Sequence, residues 1–99
     1  MTERRSVRVT EAFFGQLDTY FGADRGPNGE PSSTDFIVLE LPAIVERFAA
    51  DFDRLPEIVN GVPAARMLIT SGVLVRAIAV FGLATSETTV DLIGLTVEP

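Results

Sequence analysis

Three apolar segments in the last third of the chain are joined by turns too short to hold a helix, and this constrains the fold more than any other feature. The segments run from Arg66 to Ser71, from Leu74 to Leu83 and from Thr88 to Val97. Ser71-Gly72 punctuates the first junction and "ATSET" the second, both rich in turn-forming residues. Parallel neighbours would need a crossover of a dozen or more residues. The three segments are therefore expected to form an antiparallel meander. The middle one, rich in Val, Ile and Phe and apolar on both faces, suits a central strand.

The first half of the chain has a different period. "RSVRVT" alternates, with Val7 and Val9 on one face, and predicts a short strand. Thr10 then fits an N-cap with Glu11 in the first turn. Phe13, Phe14, Leu17, Tyr20 and Phe21 form one helical stripe, and Gly22 is a plausible stop. "GADRGPNGEPSS" is a connection too short for a domain linker. Ser32 with Asp35 matches a capping box, and from there Ile37, Leu41, Ile44, Phe48, Phe52 and Leu55 keep helical phase. Pro42 falls inside that stretch and removes one backbone donor. It permits either one helix bent at Pro42 or a short segment followed by a helix with Pro42 in its first turn. The continuous phase of the stripe favours the bent helix, while "DFIVL" has the composition of a strand.

The expected architecture over residues 1–99 is one α+β domain of order β-α-α-β-β-β, a helical hairpin packed on one face of a small antiparallel sheet. One helical layer covers only one sheet face. Side chains alternate along a strand, so Val75, Ala77, Ala79 and Phe81 share one face of the middle strand and Leu74, Arg76, Ile78 and Val80 the other. The face carrying Arg76 is expected to be the open one. Exposed Leu74 and Ile78 around a guanidinium would make a partner-binding surface selective for a carboxylate or phosphate. The alternative for Arg76 is snorkelling at the sheet edge. Arg66 either joins the same surface or stands as a charge beside the helix end, paired with Asp53 or Glu57.

Composition narrows the chemistry. There is no cysteine, histidine or lysine, and all eight basic groups are arginines. Thiolate nucleophiles, imidazole acid–base chemistry and Schiff-base mechanisms are excluded, and neither cofactor nor metal is expected. The net charge of −6 is opposite to what unaided nucleic-acid binding favours. No run approaches the roughly 20 apolar residues that span a bilayer, and "MTERRSVRVTEAFF" lacks the apolar core of a signal peptide. A cytoplasmic protein with no membrane partner is expected. Asp51 and Asp53 point about 200° apart on a helix and would not share an ion. Asp51 with Arg54 makes an ordinary i, i+3 pair. Arg4, Arg5 and Arg8 form a basic cluster that either touches an acidic partner or nucleic acid, or belongs to a frayed terminus.

The element order, with "LPEIVNGVPAARMLITSGVLVRAIAVFGLATSETTVDLIGL", resembles the RelE/ParE superfamily of type II toxin–antitoxin toxins. The points of resemblance are the opening strand and helical hairpin, Leu55-Pro56 followed by Gly61, and Arg66 opening a strand. Gly72 then leads into Val73-Leu74-Val75-Arg76-Ala77, and Val90 to Leu95 form a closing strand. The resemblance implies a bacterial growth inhibitor neutralised by a cognate antitoxin. In the ParE branch the target is DNA gyrase. In the RelE branch the protein is a ribosome-dependent mRNA endoribonuclease. A homologue that has lost toxicity and only binds its antitoxin is a third form. Cleavage of RNA needs groups that move protons, and two arginines, which stay protonated, make poor general bases. The ParE-like reading, a non-catalytic toxin with no direct DNA binding without its antitoxin, is the expectation carried forward, with Arg76, Arg66, Leu74 and Ile78 as its partner-binding residues.

Overall fold

The computed structural model describes residues 4–98. Its first strand, β1 (Ser6–Val9), turns Val7 and Val9 inward. At Thr10 the chain switches to helix: the Thr10 hydroxyl accepts from the Phe13 amide and donates to the Leu92 carbonyl, tying the helix start to the sheet. Helix α1 (Glu11–Tyr20) buries Phe13 and Leu17 and ends one residue before Phe21, itself in the core.

The capping box forms as the sequence predicts. The Ser32 hydroxyl accepts from the Asp35 amide at 3.1 Å, and the Asp35 carboxylate accepts from the Ser32 amide at 3.0 Å. Between Ser33 and Asp51 the structure selects two helices over one bent helix. Helix α2 (Ser33–Leu39) and helix α3 (Leu41–Asp51) meet at Glu40, with Pro42 in the first turn of α3. Proline there removes only a donor that a helix start leaves unbonded anyway. A turn of 3-10 helix, Phe52–Arg54, follows.

Strands β2 (Ala65–Thr70), β3 (Ala77–Ala84) and β4 (Thr89–Glu98) form the expected meander, each pair antiparallel. The sheet order is β1-β4-β3-β2, and β1 lies parallel to β4. The sheet is thus mixed, not wholly antiparallel. Short turns dictate direction only within the meander. β1 reaches the sheet through the helical connection, which leaves its direction free.

Strand β3 starts three residues later than expected. The Glu40 carboxylate, almost fully buried, accepts from the Val73 and Leu74 amides at 2.9 and 3.0 Å and holds this segment in a bend. Gly72 is needed here, because a Cβ would collide with Glu40. A bulge in β4 leaves Ile93 unpaired between Gly94 opposite Phe81 and Leu92 opposite Gly82. Beyond the end of β1, Gln16 of α1 takes over as partner of the β4 edge, its Oε1 accepting from the Leu95 amide at 2.7 Å.

One core fills the space between helices and sheet. Phe13, Phe36, Phe48 and Ile44 from the helices meet Leu68, Ile78, Val80, Val90, Leu92 and Leu95 from the strands. The covered face of β3 is therefore the one carrying Ile78 and Val80. The expected orientation is reversed. Gly82, on the covered face, shows why: a Cβ there would strike the ring of Phe48, so α3 packs closest at the one residue without a side chain.

Candidate functional site

The uncovered face of the sheet is built by strand alternation from Met67 and Ile69 of β2, Ala77, Ala79, Phe81 and Leu83 of β3, and Thr96 of β4. Cross-strand register stacks Met67 against Phe81, Ile69 against Ala79 and Ala65 against Leu83. Ile69 is 66% exposed, and Leu83 and Ile93 are also exposed. None of these residues belongs to the core or packs against it. The result is a continuous apolar surface on β2 and β3, bordered by Thr96 of β4.

Charges stand only at its rim. On the β1–β4 flank Arg8 forms a two-pronged ion pair with Asp91, Nε to Oδ1 at 2.7 Å and the second nitrogen to Oδ2 at 2.8 Å. The hydrogen bonds from Arg8 hold the Asp91 carboxyl below its ordinary range. At the end of the sheet the Arg76 guanidinium lies 3.6 Å from the Glu98 carboxylate, both well exposed. An apolar centre with charge confined to the margin is the anatomy of protein interfaces.

The residues predicted to make the partner-binding surface are placed differently from one another. Arg76 is exposed, in the bend before β3, and its amide donates to the Glu98 carbonyl at 3.0 Å. It marks the rim of the open face and is not embedded in it. Ile78, 2% exposed, is in the core, and Leu74 packs against the core. Both lie off the open face because β3 presents Ala77, not Leu74 or Ile78, to that side. Arg66 is an internal tie. Its Nε donates to the Pro63 carbonyl at 2.7 Å and one terminal nitrogen donates to the carbonyls of Asp53 and Leu55 at 3.2 and 2.8 Å. Its guanidinium also stands 5.7 Å from the Phe52 ring centre, with Glu57 at 4.0 Å. Arg66 pairs in register with Gly82, six residues along β3 from Arg76. At about 3.3 Å per residue that is a separation of roughly 20 Å, so the two arginines do not converge on one phosphate.

The other arginines near the N-terminus are tied to acids. Arg4 binds Glu46 through two bonds of 2.6 and 2.7 Å, and Arg5 reaches Asp53 at 3.3 Å and the Ser86 carbonyl at 3.2 Å. With Arg8 on Asp91, the N-terminal basic cluster is dispersed over three acids and is no frayed end. Asp51 pairs with Arg47 at 3.2 Å, not with Arg54. Asp51, Asp53 and Glu57 thus have three separate arginine partners.

Sequence reasoning missed Phe81 and Ile69 as the prominent groups of the open face. A usable signal was present: Gly82 in an otherwise bulky strand marks a close approach, which assigns its own face to the helices. No family model, curated protein or solved structure matches this sequence. Among the described residues, no helix is long and apolar enough to cross a membrane.

Proposed function

We propose that this protein acts by binding another protein through the bare face of its sheet. The observation that carries the reading is the apolar surface around Phe81, Met67 and Ile69, ringed by the Arg8–Asp91 and Arg76–Glu98 pairs. Covering apolar surface contributes about 2.5 kcal/mol per 100 Å², and a monomer seldom leaves so continuous a patch uncovered. The rim charges would set orientation more than affinity.

In its specific form the proposal is a toxin of a type II toxin–antitoxin module, of the ParE kind, held by a cognate antitoxin and acting on a protein target such as DNA gyrase. Its support is the resemblance to the RelE/ParE superfamily, the α+β element order, and a surface suited to protein contact. The ribosome-dependent ribonuclease reading has less support, because Arg66 is bound to three carbonyls and lies far from Arg76. The test is induced expression alone and together with the product of the adjacent reading frame. Growth arrest relieved by that product, with the two proteins co-purifying, is the expected result. Normal growth with no complex would overturn the reading. Cleaved mRNA in a translating extract would replace it with the nuclease.

A further inference from the structure

A groove of about 390 Å³ runs between the α2–α3 junction and strand β2. Its size falls within the roughly 300–1,000 Å³ usual for small-ligand sites. The walls are largely apolar, with Leu39 and Ala43 from the helices and Leu68 and Val73 from the strand side. Glu40 also lines the groove. Its carboxylate is fixed there by the Val73 and Leu74 amides at 2.9 and 3.0 Å.

Glu40 is 5% exposed, and a glutamate buried to that degree ordinarily has a cation against it. Among the described residues it has none. Seven arginines form ion pairs, all of them with other acids. The two amides occupy one lone pair on each oxygen of Glu40, and a carboxylate offers about four. The other charged groups along the groove are already balanced, Glu46 by Arg4 and Arg47 by Asp51. The groove therefore carries one uncompensated negative charge between apolar walls.

We propose that this groove binds a small organic cation, a primary ammonium carried on a short apolar body. The ammonium would donate to the remaining lone pairs of Glu40, and the apolar body would cover Leu68 and the exposed Val73. Charge complementarity selects this occupant. An anion would meet Glu40 directly, and a neutral apolar ligand would leave the carboxylate uncompensated. A metal ion needs several donors, and the described residues hold no group of three or more His, Cys, Asp or Glu that could supply them. The same carboxylate shapes the wall. Gly72, where a Cβ would collide with Glu40, lets the bend before β3 close over it. Binding at Glu40 should therefore also steady that bend. The groove is a different surface from the bare sheet face, and this inference stands or falls separately from the partner-binding reading.

The test is titration of the full chain with phenethylammonium chloride, followed by amide chemical shifts. Saturable shifts at Val73 and Leu74 are expected, with a dissociation constant below about 1 mM. Phenethyl alcohol has the same body without the charge and is expected to bind at least about tenfold more weakly, because the charge-assisted hydrogen bond is lost. Glu40→Gln keeps an oxygen for the amides and removes the charge, so it should weaken the ammonium at least about tenfold and leave the alcohol unchanged. Ala43→Phe fills the groove from an exposed helical position and should abolish the shifts in a protein that still melts cooperatively. No shift at Val73 and Leu74 with about 10 mM probe, equal affinity for the alcohol, or wild-type affinity in Ala43→Phe overturns the proposal. Shifts produced only by a capped tripeptide with lysine between two leucines would also overturn it, and would assign the groove to a side chain of a partner protein.

Discussion

The ring of Phe48 lies over Gly82, so close that a Cβ on Gly82 would overlap it. This contact decides which face of the sheet the helices cover, and hence which face is left for a partner. It yields a paired prediction. Gly82→Ala should destabilise by about 1–3 kcal/mol, as overpacking does, lowering the melting temperature by at least about 4 °C for a domain of this size. Ala79→Val, on the opposite face, should change stability by less than about 0.5 kcal/mol. Equal costs for the two would mean that both faces are enclosed.

Glu40 supplies both acceptors for the bend before β3. Glu40→Ala leaves the Val73 and Leu74 amides without a partner and should cost about 1–3 kcal/mol. Glu40→Gln offers a single carbonyl oxygen and should fall between that variant and the wild type. Hydrogen exchange at Val73 and Leu74 should accelerate in both, in the same order. Unchanged protection would show that the bend holds itself.

Arg66 and Arg76 should separate cleanly by assay. Arg66→Ala strands the carbonyls of Pro63, Asp53 and Leu55 and should appear as a loss of stability of about 1–3 kcal/mol. Arg76→Glu removes an exposed pair with Glu98 and should leave the melting temperature within about 4 °C, since such pairs typically contribute about 0.5 kcal/mol. A stable Arg66→Ala variant would return that residue to the list of groups free to bind.

Acid should weaken the start of α2. Hydrogen bonds from Arg25, then from the Ser32 amide, lower the Asp35 carboxyl from 3.8 to about 2. A carboxyl depressed on folding adds stability that is fully present above its unfolded value and is lost as pH falls through the folded one. Asp91 and Glu46, also lowered by their arginines, act in the same direction. Melting temperature should be flat above about pH 5 and fall between about pH 4 and 2. Asp35→Asn should be less stable at neutral pH and show a shallower acid decline. An identical decline in the variant would remove Asp35 from the cause.

Local signals in the sequence were reliable where the determinant is local. The capping box at Ser32, the N-cap at Thr10 and the three strands of the meander all depend on residues a few positions apart. What escaped was set by contacts distant in sequence. The Glu40 side chain reaches Val73 across 33 positions, and it moved the start of β3 from Leu74 to Ala77. That shift left Arg76 in a bend and not in a strand. The inverted sheet face had a different origin. Both sides of β3 are apolar, so hydrophobicity did not separate them, and within β3 the missing side chain at Gly82 lies on the covered one. The parallel direction of β1 and the dispersal of Arg4, Arg5 and Arg8 over separate acids likewise depend on how the helical connection returns to the sheet.

The most direct test of a partner-binding face is the affinity of Phe81→Asp for the protein that co-purifies with the wild type, measured by calorimetry alongside Arg66→Lys as a control inside the fold. Phe81 lies half-buried at the centre of the uncovered surface, so a carboxylate there should weaken binding by at least about 100-fold while the variant still shows a cooperative melting transition. Wild-type affinity in a folded Phe81→Asp variant would contradict the account.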